Sequence, residues 1–173
     1  ARAGAREGAR RARATIPAMG EDGGATITVV GLGPGGLGLL TADAVRALDS
    51  ARTLWLRTLR HPAALAVAER WQAASCDDLY ESCDSYDAIY AAIAERMVSA
   101  AQEGGVVYAV PGDPACGETS VLRLRSLAEA RGVRVTVLPG VSFLGPTLAV
   151  LGWDAMDGLQ IVDGMALASR QYP

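Results

Sequence analysis

Three short Gly/Pro stretches hold most of the chemistry this sequence offers: Gly31-Leu32-Gly33-Pro34-Gly35, Pro111-Gly112-Asp113-Pro114 and Pro139-Gly140-Val141-Ser142. Glycines take backbone angles closed to other residues and let a ligand approach the main chain, so the chemistry on offer is binding by backbone groups. The first stretch is not a dinucleotide fingerprint, because G-x-G-x-x-G opens a helix at its last glycine and Pro34 stands in the middle here. Nor is it a P-loop, since the sequence has no lysine to reach a phosphate. Taken singly, each stretch also reads as a tight structural turn, with Asp113 a turn residue between Gly112 and Pro114.

The remaining reactive side chains give less. His61, the only histidine, precedes Pro62 with no orienting partner in view, and reads as a turn or helix-start residue rather than a general base. Asp77, Asp78, Glu81, Asp84 and Asp87 match no EF-hand spacing and read as a solvated acidic face. Cys76, Cys83 and Cys116 are odd in number without a C-x-x-C spacing, so neither a disulfide framework nor zinc is indicated, and reduced thiols in a cytoplasm are expected. No catalytic residue and no metal ligand are assigned.

The elements that must position the loops follow from hydrophobic periodicity. The apolar run Thr26 to Val30 reads as a strand that runs straight into the first loop, and Thr41 to Ser50 as a helix with Thr41 as N-cap and Ala44, Val45 and Leu48 on one face. Thr53 to Arg57 reads as a strand, and Ala63 to Ala74 as a helix burying Leu65, Ala66 and Trp71. Tyr86 to Glu103 is a long helix with the stripe Ile89, Ile93, Met97 and Val98, stopped by Gly104-Gly105. Val106 to Val110 reads as a strand covered on both faces. A helix over Thr119 to Arg131, a strand over Val133 to Leu138, an apolar helix over Phe143 to Leu151 and one further strand over Gly158 to Asp163 complete the series. The rhythm predicts an α/β fold, a Rossmann-like, mostly parallel sheet flanked by helices. Each of the three loops ends a strand, the edge where open α/β sheets bind ligands, so the three together outline one crevice.

Composition sets the bounds. The chain has 173 residues, half of them hydrophobic, and a formal charge of -3, which suits one globular domain with a sizeable core. Arg2, Arg6, Arg10, Arg11 and Arg13 against Glu7 leave the first fifteen residues basic and the body acidic, which argues against a broad nucleic-acid footprint. Residues 1–24 read as a flexible Arg/Ala/Gly-rich extension; RNA binding through it is a weaker alternative that predicts salt-sensitive binding. No apolar run reaches the ~20 residues that span a bilayer, and no secretory signal pattern follows the arginines, so no membrane partner is expected.

With Leu39-Leu40-Thr41 behind the first loop, and with Gly112-Asp113-Pro114 and Pro139-Gly140-Val141-Ser142 in order after it, the chain resembles the tetrapyrrole (corrin/porphyrin) methylases over roughly residues 27–163. It is most similar to the methylase domain fused to MazG-type nucleotide pyrophosphohydrolases, through Leu56-Arg57-Thr58 with His61-Pro62, Asp77-Asp78-Leu79-Tyr80, Val107 to Gly112, Pro139 to Leu144 and Gly158 to Asp163. The paired glutamates of a MazG portion are not in these residues.

The resemblance implies an S-adenosylmethionine-dependent methyltransferase acting on a small-molecule acceptor, with tetrapyrroles among the candidates, and a homodimer of the two-lobed parent. It implies cofactor contacts at Pro34, at Pro111, Gly112 and Asp113, at Cys116, and at Ser142 and Phe143. Gly36 departs from the Asp that many members carry there, which removes any side-chain role at that position. Residues 25–157 would form the first lobe of a two-lobed fold and residues 158–173 the truncated start of the second. A non-catalytic domain that senses S-adenosylmethionine, partnered with a MazG-type pyrophosphohydrolase, is the alternative.

Overall fold

The computed structural model describes residues 24–164. The expected extension before Gly24, and any RNA binding through it, lies outside the described residues, as does the stretch from Met165 onward.

Five parallel strands form one sheet: β1 (Thr26–Gly31), β2 (Thr53–Leu56), β3 (Ala74–Ser75), β4 (Val106–Val110) and β5 (Arg134–Leu138), in the order β3-β2-β4-β1-β5. The central strands are continuous apolar runs because helices cover both their faces. On one face, α1 (Ala42–Asp49) and α2 (Ala64–Trp71) pack Ala44, Leu48, Ala64 and Val67 against Val30, Leu56, Val107 and Ala109. On the other, α4 (Tyr86–Glu103) and α5 (Thr119–Ala130) pack Ile93, Met97, Val121 and Leu124 against Ile27, Val29, Tyr108 and Val110. A short α3 (Asp77–Ser82) precedes α4, and α6 (Leu144–Leu151) follows β5.

This order creates a switch point. β1 crosses through α1 on one face to reach β2, whereas its neighbour β4 crosses through α5 on the other face to reach β5. The chain therefore leaves β1 and β4 for opposite faces of the sheet at their carboxyl edge, which is where an open α/β sheet binds ligands.

The sequence reading holds for the long elements. Thr41 caps α1, its hydroxyl accepting from Ala44 N–H at 3.1 Å, and Ile89, Ile93, Met97 and Val98 are all buried along α4. Three expectations need correction. Leu65 is 61% exposed, because α2 begins at Ala64 and its inward stripe runs through Ala64, Val67, Ala68 and Trp71. Residues 158–163 form no strand: Leu159 and Ile161 are exposed and no described strand pairs with them. The acidic stretch is not simply solvated: Asp77 accepts from Thr58 Oγ1 at 2.6 Å and Leu59 N–H at 2.8 Å, and Asp78 takes both terminal nitrogens of Arg96. Those bonds, with Thr58 foremost among the favourable contacts, outweigh partial desolvation and hold the Asp77 carboxyl below its ordinary range.

Candidate ligand site at the carboxyl edge of the sheet

The three Gly/Pro loops meet. Leu32 N–H donates to the Val110 carbonyl at 2.8 Å, and Gly33 and Gly112 exchange backbone bonds at 3.1 and 2.9 Å, closing an antiparallel bridge beyond the parallel strands. The third loop lies against both. A Cβ on Gly31 would stand 2.4 Å from the Gly112 oxygen and 2.8 Å from the Gly140 Cα, and one on Gly140 would stand 2.4 Å from the same Gly112 oxygen. Only glycine allows three backbones to approach this closely.

Gly33 and Gly112 also sit at φ +72° and +65°, in the left-handed region that glycine adopts without strain. The space where a Gly112 Cβ would project is open, so this part of the floor faces outward.

The residues proposed as cofactor contacts fall on these loops in different ways. Pro34 of the first and Phe143 of the third line one apolar cavity of about 400 Å³, open to solvent, with Leu39, Pro146, Val150 and Leu151 along its sides. Its size lies in the ordinary range of small-molecule pockets, about 300–1,000 Å³. Pro111, Gly112, Asp113, Cys116 and Ser142 do not line that cavity; they shape the floor beside it. Asp113 Oδ1 accepts from Ala115 N–H at 2.7 Å, and the Asp113 carbonyl accepts from Cys116 N–H at 3.0 Å, so Asp113 builds the turn. Ser142 Oγ accepts from Leu144 N–H at 3.3 Å at the start of α6. Cys116 is a free, half-buried thiol, and Cys76 and Cys83 are also free.

His61 lies in the turn before α2 and also reaches the floor. Its Nδ1 accepts from Ala63 N–H at 3.2 Å and its Nε2 lies 2.9 Å from the Gly33 carbonyl, a pairing that fixes the neutral ring with the proton on Nε2. Desolvation first, and the Arg57 charge with it, hold its pKa below 6.5 despite the Gly33 carbonyl. Between the lowered folded value and the ordinary one the unfolded chain binds more protons, so His61 stabilises the fold fully above pH 6.5, and that contribution is lost as pH falls toward the folded value. The thermal midpoint should drop on acidification over roughly pH 7.5 to 5, with a shallower slope in His61→Gln than in the parent.

A buried polar network, which the sequence did not disclose, lies behind the second loop. Arg57 Nη1 stands 3.1 Å from Glu118 Oε2, and the Glu118 side chain is only 3% exposed. Glu118 Oε1 accepts from Ser120 Oγ at 2.7 Å, and Ser120 Oγ pairs with Tyr108 Oη at 2.8 Å. Arg57 follows β2 and Glu118 caps α5, 61 residues further on, so nothing local in the sequence links the pair.

An open parallel sheet whose glycine loops gather at its switch point defines a Rossmann-like ligand-binding domain. Residues 26–170 match the family model described as Tetrapyrrole (Corrin/Porphyrin) Methylases, and the chain belongs to that family. It is 40% identical over 146 residues to the Bacillus subtilis (strain 168) protein YabN, an alignment covering 84% of this chain and 30% of that one. Among solved structures it resembles uroporphyrin-III-C-methyltransferase from Thermus thermophilus (27% identity, TM-score 0.57, 74% of this chain and 53% of that one). It also resembles the cobalamin-biosynthesis precorrin-6Y methylase of Archaeoglobus fulgidus (25% identity, TM-score 0.56, 77% and 61%). A diphthine synthase at 20% identity and TM-score 0.59, covering 76% of this chain and 50% of that one, shares the fold. The chain thus spans under a third of YabN and about half of the solved relatives. Among the described residues, no helix is long and apolar enough to cross a membrane, and no cluster of His, Cys, Asp and Glu could hold a metal.

Proposed function

We propose that the carboxyl edge binds S-adenosylmethionine and serves methyl transfer to a small-molecule acceptor. The observation that carries this reading is the meeting of the Gly31, Gly112 and Gly140 backbones beside the cavity that joins Pro34 to Phe143. The donor suits these residues: a flat adenosine portion fits the apolar Pro34 and Phe143 walls, and its polar parts fit the backbone edge of a floor without side chains. When bound, the cofactor supplies an electrophilic methyl group. The chain supplies position: Pro111 to Cys116 hold the floor, and Ser142 and Phe143 fix the far wall. Positioning of this kind can be worth about 7–11 kcal/mol in the best cases, without an acid/base pair.

Asp113→Ala should weaken the donor about five-fold by loosening the turn that Asp113 Oδ1 ties to Ala115, a hydrogen bond worth about 1 kcal/mol. Asp113→Asn, which keeps that acceptor, should bind nearly as the parent. Calorimetric titration of S-adenosylmethionine into the full gene product carrying these residues tests both the reading and the variants; no saturable heat in the parent would overturn the reading.

Tetrapyrrole precursors are one class of acceptor to assay, given the names of the Thermus and Archaeoglobus relatives. The second reading is donor sensing without turnover, partnered with a MazG-type pyrophosphohydrolase. The Leu56-Arg57-Thr58 and His61-Pro62 strings favour it. Donor binding with no methyl transfer to any acceptor would select it.

A further inference from the structure

A second cleft, of about 580 Å³, opens on the other side of the second loop, where Gly117 and Thr119 face Arg57, Tyr80, Tyr86 and Tyr90. Three tyrosines in one wall are unusual in a chain with only five. Tyr86 and Tyr90 are one turn apart on α4, with ring centroids 6.1 Å apart and planes inclined by 31°, and Tyr86 is 64% exposed. Such faces favour an offset-stacked or edge-on aromatic partner.

The polar atoms narrow the ligand further. Tyr80 Oη and Arg57 Nε are buried without a hydrogen-bond partner, and both belong to residues of this cleft. Each is a donor, and buried donors are ordinarily satisfied. Burial pushes the Tyr80 hydroxyl up to about 12, so it keeps its proton throughout the working range. Among the described residues, carboxylates outnumber cations here. Arg57 is paired to Glu118, and Arg60 shares the wall with Asp77 and Asp163, so two arginines stand against three carboxylates.

We propose that this cleft is a second ligand site, which takes one planar aromatic molecule carrying a single oxygen acceptor for Arg57 and Tyr80, and that a polycarboxylate is disfavoured there. The proposal rests on the methyl-transfer reading only in so far as the ligand is taken to be the acceptor, since the second loop is shared between this cleft and the donor floor. Its consequence for specificity is direct: a molecule ringed with carboxylates would bring negative charge against Asp77, Asp163 and Glu118, which already outnumber Arg57 and Arg60 among the described residues.

The probes are the neutral 2-naphthamide and naphthalene-1,4,5,8-tetracarboxylate, titrated by calorimetry into the full gene product, with S-adenosylmethionine titrated in parallel. The expected result is saturable binding of 2-naphthamide, at least ten-fold tighter than the tetracarboxylate. Binding should weaken ten-fold or more in Tyr86→Ala, which alters an exposed side chain, and several-fold in Tyr80→Phe, with donor affinity unchanged in both. Equal or tighter tetracarboxylate binding overturns the ligand class. No binding of either probe at millimolar concentration, or binding indifferent to both variants, overturns the site. Failure of the donor titration alone overturns the methyl-transfer reading and leaves the cleft standing.

Discussion

Gly31→Ala should cost the fold about 3 kcal/mol and abolish measurable S-adenosylmethionine binding. The added methyl would stand 2.4 Å from the Gly112 oxygen and 2.8 Å from both the Gly140 Cα and Pro114 Cδ, and two of these three neighbours are backbone that cannot rotate away. Overpacking at such a point costs typically 1–3 kcal/mol and sometimes more, and relief here requires the three loops to separate. Gly140→Ala meets the same Gly112 oxygen and should cost a similar amount, without adding fully to Gly31→Ala in the double variant, because both push on one group. Gly36→Ala is the control: nothing lies within 4 Å of its would-be methyl, so urea midpoints and donor affinity should stay near the parent.

Glu118→Leu should destabilise the protein by roughly 3 kcal/mol. It leaves Arg57 charged and largely buried, and strips Ser120 Oγ of its acceptor, which in turn loosens the Tyr108 hydroxyl. Breaking a buried pair from one side costs about 3–5 kcal/mol, and the residual 20% exposure of the Arg57 side chain places this case at the lower end. Arg57→Met combined with Glu118→Leu should recover most of the loss, because the cost lies in the orphaned charge more than in the pair itself. Equilibrium urea unfolding of the two single variants and the double gives the coupling energy directly; simple additivity would show that the two groups do not depend on each other.

What the sequence disclosed about this fold was local in origin. β4 is bounded by Gly105 and Pro111, and α4 opens at Ser85, whose hydroxyl accepts from Ala88 N–H, and stops at Gly104. Those signals need no knowledge of the rest of the chain. The three loops were legible for the same reason, each being a glycine-rich break after an apolar run.

Features that depend on distant partners were hidden. β3 is two residues long and exists only because Trp55 and Leu56 of β2 pair with it. Residues 158–163 show the converse: Leu159 and Ile161 look like one face of a strand, yet no described strand pairs with them. Asp77 was misread because its partners, Thr58 and Leu59, lie in the loop after β2. The convergence of Gly31, Gly112 and Gly140 was expected from topology alone, but that Gly112 presents its carbonyl to the other two could come only from coordinates.

The central claim, that these three loops form the floor of a methyl-donor site, is tested most directly by following backbone amide resonances of the isotope-labelled full gene product during titration with S-adenosylmethionine. Saturable shifts should appear at Gly33, Gly112, Gly140 and Phe143, while the outer faces of α2 and α4 stay still. Saturable shifts confined to other regions, or none at these four positions at millimolar donor, would contradict it.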